Sequence, residues 1–107
     1  MPASFKNAGL YKRPPDAVSY IREGAVRGTV AFYEGWRGVR MVCRITGLDE
    51  GDAFIKVAKS PPLPLSVDQN GNVKTALFNK SMRLNNIKGL CPYIKNKELA
   101  LVCGRIK

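Results

Sequence analysis

Apolar and polar residues alternate with a period of two along most of the chain. Between residues 39 and 45 every second side chain is apolar, and Arg40 and Arg44 fall between them. Residues 17–21 and 29–33 alternate in the same way. Because successive side chains of a β-strand point to opposite faces, this pattern predicts strands with one buried and one exposed side rather than helices.

Turn-forming residues separate the alternating runs. Glycines recur at intervals of about 8–12 residues, which is typical of an antiparallel sandwich or barrel. The sequence Asp-Gln-Asn-Gly-Asn at residues 68–72 lies between apolar runs at 63–67 and 73–78 and predicts a hairpin, since Asn-Gly favours a tight turn between paired strands. The prolines in residues 60–64 exclude helix there, and residues 98–106 are expected as the last strand. The prediction is an all-β fold of about seven antiparallel strands.

The chain divides into an N-terminal arm, residues 1–15, and a single β domain, residues 16–107. A length of 107 residues leaves room for one domain with a modest core. The arm has no apolar period, contains Lys6 and Lys12, and ends in two prolines that break regular structure. Its apolar side chains, which could anchor it to another surface, are Phe5, Leu10 and Tyr11.

The net charge of +10 suggests which partners the domain could have. Basic surfaces attract polyanions, such as nucleic acid or a cell-surface polymer, whatever fold lies beneath them. Tyr33 and Trp36, near Arg37 and Arg40, could add stacking on the bases of a single strand, whereas Phe32 is expected in the core. The alternative is a soluble, self-repelling surface without a specific partner. The candidate anion-binding residues are Lys74, Lys80, Arg83, Lys88, Lys95, Lys97, Arg105 and Lys107.

Hydropathy predicts synthesis in the cytoplasm without a signal peptide. No apolar run approaches the ~20 residues that span a bilayer, so no membrane span is predicted. Residues 1–10 lack the apolar core of a signal peptide, and the final location, cytoplasm or a surface or particle assembly, stays open.

The cysteines Cys43, Cys91 and Cys103 lack the spacing of a zinc site and are expected as buried free thiols. An intermolecular disulfide is the alternative.

Several segments follow one another in an order that indicates a family. They are residues 17–18, the Gly-x-Val-x-Phe run at 28–32, the Gly-Leu-x-Glu-Gly turn at 47–51, the segment 65–71, and the strands at 76–84 and 98–103. Over roughly residues 16–106 this order resembles the Cu/Zn superoxide dismutase family. The resemblance implies a flattened Greek-key β-barrel or sandwich.

The chain departs from that family where the family binds its metals. It has no histidine, whereas the family holds copper and zinc with imidazoles. The resemblance puts Ile55 and Val57 where two copper ligands would lie and Cys103 where the last would lie, and it shortens the zinc loop to about residues 59–64. Redox cycling of copper needs ligands that serve both oxidation states, which one thiol among aliphatic side chains does not provide. No metal ligand or cofactor is therefore predicted.

Other catalytic arrangements are not indicated either. Without histidine there is no Ser–His or Cys–His nucleophile pair. Asp49, Glu50 and Asp52 form either a carboxylate metal site or, as we favour, a solvated turn. The expectation is a protein that is not an enzyme and has no catalytic residues.

By this comparison the last strand of the family lies beyond Lys107. Its loss implies two open edges, near residues 17–22 and 99–103, which invite the addition of a strand. The arm of the same chain could fill the slot, or the arm of a neighbour could fill it and build a homo-oligomer or filament. The remaining alternative is a disordered tail beside a slightly re-closed barrel. The first functional hypothesis is therefore a non-catalytic, dismutase-like structural or assembly subunit. The alternative is a basic binding module for an anionic polymer.

Overall fold

A computed structural model of the protein describes residues 13–107. The arm residues Phe5, Leu10 and Tyr11 lie outside this part of the chain, so what was predicted for them stays a prediction. The described residues confirm the all-β class. They form eight strands and one short helix: β1 Ala17–Glu23, β2 Val26–Gly35, β3 Gly38–Thr46, β4 Gly51–Lys56, β5 Leu63–Val67, β6 Val73–Asn79, α1 Leu84–Ile87, β7 Tyr93–Asn96 and β8 Leu99–Val102.

The strands form two four-stranded antiparallel sheets. The order is β1-β2-β3-β6 in the first sheet and β5-β4-β7-β8 in the second. The chain therefore passes to the second sheet after β3, returns after β5 and crosses again after β6. The eight strands exceed the predicted seven because β7 went unrecognised, as four residues are too few for an alternating pattern to be identified.

The core lies between the sheets and consists of the inward residues of the alternating runs. Val39, Met41 and Cys43 on β3 are fully buried, whereas Arg44 on the same strand is exposed. The period-two prediction is thus confirmed for this strand. The second sheet contributes fully buried side chains that include Ile55, Ile94 and Leu101.

The turn at residues 68–72 forms, but the predicted hairpin around it is wrong. Asp68 Oδ1 accepts hydrogen bonds from the backbone N–H groups of Asn70 and Asn72, both at 2.9 Å. However, β5 before the turn and β6 after it belong to different sheets. Turn chemistry is local, whereas the sheet that each strand joins depends on tertiary packing.

The predicted open edge along β1 is also wrong. The C-terminal segment, residues 104–107, lies beside β1 and bonds to it. Val18 donates its N–H to the Lys107 carbonyl and accepts from the Lys107 N–H, both at 3.1 Å, and Tyr20 accepts from the Gly104 N–H at 2.8 Å. The buried Ser19 hydroxyl also donates to the Gly104 carbonyl, at 2.7 Å. The chain itself therefore fills the slot that the arm was expected to fill.

The single turn of α1 covers one end of the core. Leu84 and Ile87 are buried there. The carboxylate of Glu34, near the end of β2, accepts a hydrogen bond from the Leu84 N–H at 2.8 Å, which satisfies a backbone donor at the start of the helix. Within residues 13–107, no helix has the length and apolar character needed to cross a membrane.

Candidate anion-binding face

The outward side chains of the first sheet lie in rows across its strands. In antiparallel sheets, directly paired residues point to the same side. Tyr33 pairs with Arg40, and Arg40 pairs with Phe78, so these three form one row across β2, β3 and β6. A second row contains only small or medium apolar side chains, Val18, Ala31, Val42 and Ala76, and a third contains Tyr20, Thr29, Arg44 and Lys74.

These eleven residues are called the outer face below. The middle row makes an apolar trough, because its side chains are shorter than the aromatic and cationic ones on either side. Several of the flanking side chains are well exposed, among them Tyr20 at 67% and Phe78 at 51%. In the described part of the chain no helix or strand packs over this surface.

Two further arginines stand at the rim of the outer face, each against an aromatic ring. Arg37 lies in the β2–β3 turn, with its guanidinium carbon 4.8 Å from the centre of the Trp36 ring. Arg13 lies over Tyr33 at 5.5 Å. Trp36 is 83% exposed. Contacts of this kind hold a cation beside an aromatic surface that remains open on its other side.

The outer face carries positive charge without a carboxylate among its eleven residues. The nearest acids along the chain are engaged with other groups. Asp16 accepts from Arg13 at 3.2 Å and from the Glu34 N–H at 2.8 Å, while the Glu34 carboxylate binds the start of α1 at Leu84. Asp16 thus partly neutralises Arg13, and the remaining excess of cations over carboxylates on and around the face favours the approach of anions.

The eight predicted anion-binding residues do not form one cluster. Lys74 lies on the outer face, and Lys95 lies on the second sheet. Lys80 and Arg83 line a groove between β6 and α1. The others lie in three separate places: after α1 (Lys88), in the β7–β8 turn (Lys97), and beside β1 (Arg105 and Lys107).

The sequence analysis placed Arg37 and Arg40 near the stacking residues but left out Arg13 and Arg44, which converge on the same face. The alternation of residues 39–45 had indicated that Arg40 and Arg44 share the exposed side of one strand. What it lacked was the strand register, which brings Tyr33 and Phe78 alongside them.

The positions that the dismutase resemblance assigned to copper ligands are in the hydrophobic core. Ile55 and Val57 are at most 1% exposed, and Cys103 is 4% exposed. Burial raises the pKa of Cys103 to about 12, and it does the same for Cys43. Both are therefore neutral thiols near pH 7, as expected for buried cysteines. Cys91 is exposed, so the prediction that it would be buried is wrong.

The acidic turn is held by a buried asparagine that sequence reasoning missed. Asn96 Oδ1 accepts from the Asp49 N–H at 2.8 Å, and its Nδ2 donates to the carbonyls of Asp49 at 3.1 Å and Asp52 at 3.3 Å. Asn96 is completely buried. Within residues 13–107, no three His, Cys, Asp or Glu side chains are grouped so that they could hold a metal ion.

The groove that Lys80 and Arg83 line lies between the β4–β5 loop and the segment from the end of β6 through α1. It is lined by apolar side chains, including Leu63, Phe78 and Leu90. β5 is an edge of the second sheet and β6 is an edge of the first.

No protein-family model matches the chain, and no curated protein matches it significantly.

Proposed function

We propose that the chain is a non-catalytic β domain that binds an anionic polymer through the outer face of its first sheet. One observation carries this proposal: Arg40, Arg44 and Lys74 lie on one face of the first sheet, and with Arg13 and Arg37 at the rim these cations outnumber the nearby carboxylates, Asp16 and Glu34. Net charge alone would favour weak binding everywhere on the protein. Cations gathered on one face favour binding at that face.

We also propose that the fold is of the Cu/Zn superoxide dismutase type, a Greek key. The strand order of the two sheets supports this, because the chain crosses between them after β3 and again after β6. In this comparison Cys103, which the resemblance places at the final copper ligand, directly follows β8.

The same comparison supports a domain without metal chemistry. Cys103 is a buried thiol that is neutral near pH 7, because burial raises its pKa to about 12. Ile55 and Val57 offer no lone pairs to a metal. The chain therefore lacks the nitrogen ligands that cycling of copper requires.

The first test compares two charge reversals on opposite sheets. Arg44→Glu changes the outer face, and Lys95→Glu makes the same change in net charge on the second sheet. With inorganic polyphosphate as the probe, we expect Arg44→Glu to weaken binding by about tenfold and to flatten its salt dependence. Lys95→Glu is expected to change affinity by less than about twofold to threefold.

Calorimetric titration at several salt concentrations provides the measurement, and thermal unfolding verifies that both variants keep their fold. Equal weakening by the two reversals would mean that only total charge matters, and the proposal would be lost. Affinity that ignores salt, or no binding of the unmodified protein, would also overturn it.

An assembly subunit is the second candidate, with the acceptor site moved from β1 to the β5–β6 groove. In the described residues β5 and β6 are edge strands, and the start of β5 at Leu63 and the end of β6 at Phe78 and Asn79 line the groove. Unpaired strand edges beside apolar side chains accept an added strand. The occupant we propose is the N-terminal arm of a second copy, which offers Phe5, Leu10 and Tyr11.

This candidate predicts that the particle mass depends on the arm. Light scattering of the full chain should give an oligomer, and a variant without residues 1–12 should give a monomer, because the added strand is gone. A monomer in both cases would exclude the assembly role. An oligomer in both cases would show that assembly does not depend on the arm.

A further inference from the structure

We infer that the polyanion is a single-stranded nucleic acid whose bases stack on the aromatic side chains of the outer face and its rim. The inference rests on the proposed function and adds the class of ligand. It depends on the positions of Trp36, Tyr33 and Phe78, which a purely ionic site would not need.

Two of the three aromatic side chains, Trp36 and Phe78, are largely exposed, and Tyr33 is half-buried. Trp36 is 83% exposed at the tip of the β2–β3 turn, and Phe78 is 51% exposed in a strand that could carry a polar residue there. Large apolar side chains that are exposed together in one surface region often mark a binding site. An aromatic ring that is open on one face is suited to stack on a planar base.

Cations accompany each of these rings. Arg40 lies between Tyr33 and Phe78 in the same row, and Arg37 packs on Trp36 at 4.8 Å. A nucleotide presents a flat base and a negative phosphate side by side. The arrangement therefore matches both parts of the ligand, with bases on the rings and phosphates beside the guanidinium groups.

The aromatic side chains distinguish a single strand from other polyanions. In a duplex the base faces are stacked on one another, so side chains on a sheet surface can reach only the backbone and the base edges. Polyphosphate and sulfated polysaccharides have no aromatic rings to stack. The apolar trough of Val18, Ala31, Val42 and Ala76 would offer these ligands nothing.

The chain contains its own probe for this contact, since Trp36 is its single tryptophan. We expect an oligothymidylate of about 12 nucleotides, within the range of site sizes known for small β-barrel domains, to quench the Trp36 fluorescence on binding. Trp36→Ala and Phe78→Ala should each weaken oligonucleotide binding about 5- to 100-fold, measured by anisotropy of the labelled strand. Both should leave polyphosphate binding within about twofold of the unmodified protein.

Two control variants make the comparison specific. Tyr93→Ala removes a partly exposed aromatic side chain from the second sheet, and it should leave the affinity for the oligonucleotide unchanged. Trp36→Phe keeps a ring for stacking and should recover most of the affinity that Trp36→Ala loses. Thermal unfolding of each variant verifies that the fold is retained.

The outcomes separate this inference from the proposed function. If polyphosphate binds in a salt-dependent way but the aromatic variants weaken both ligands equally or neither, the site is ionic only and the nucleic-acid inference is overturned. Equal affinity for the single strand and for a duplex of the same sequence, without fluorescence quenching, would overturn it as well. If no polyanion binds, both proposals fail.

Discussion

Gly47→Ala is expected to lower the free energy of unfolding by about 3 kcal/mol or more, from left-handed backbone strain together with steric overlap. Gly47 follows β3 with a φ of +89°, a backbone conformation that residues with a Cβ adopt at a cost of about 1–2 kcal/mol. A Cβ at this position would also overlap the backbone carbonyl of Ala25 in the β1–β2 turn. Because the obstacle is backbone rather than a flexible side chain, relief requires the two turns to separate.

Gly24→Ala is the matched control for this change. Gly24 also has a positive φ, +60°, but a Cβ added there would meet no atom within 4 Å. Its substitution should therefore cost only the conformational part, about 1 kcal/mol. Urea denaturation of the three proteins measures the difference. If the two alanine variants were equally stable, the close approach between residues 25 and 47 would carry no energetic weight.

Local features of the sequence predict the strands well, but they do not predict how the strands combine. Alternation in residues 39–45 identified both the buried side and the exposed arginines of β3, because each depends only on the period of a strand. The turn at 68–72 was also recognised from its residues. Whether the strands on either side of it pair is decided by packing, and they do not.

The error in the predicted edge along β1 has a similar physical origin, whereas β8 is an edge of its sheet as expected. Residues 98–106 were predicted as one strand, but β8 ends at Val102 and residues 104–107 bond to β1. Which neighbour a segment pairs with depends on tertiary packing, so this closure was not visible in the sequence. For the same reason the candidate site was predicted only in part. Trp36 and Tyr33 were recognised as stacking residues, but Phe78 joins them only through the register of β6 on β3.

Asn96→Ala is expected to lower the free energy of unfolding by about 3–5 kcal/mol, since it removes three hydrogen bonds made by a completely buried side chain. The lost amide serves the N–H and carbonyl of Asp49 and the carbonyl of Asp52, and it connects β7 to the turn before β4. Each hydrogen bond contributes about 0.5–1.5 kcal/mol, and the cavity left by the side chain adds to this.

Asn79→Ala is the control, because its amide oxygen accepts one backbone hydrogen bond, from Ser81 at 2.9 Å, in an exposed turn. That change should cost about 1 kcal/mol. Asn96→Asp distinguishes hydrogen bonding from packing, since it keeps the shape but turns a carboxylate oxygen toward the carbonyls of Asp49 and Asp52. We expect its loss of stability to be large at pH 7 and smaller at acid pH, where a protonated carboxyl can donate again. Two results would show that Asn96 only fills space. One is a loss of stability in Asn96→Asp that does not change with pH, and the other is a loss in Asn96→Ala no larger than that in Asn79→Ala.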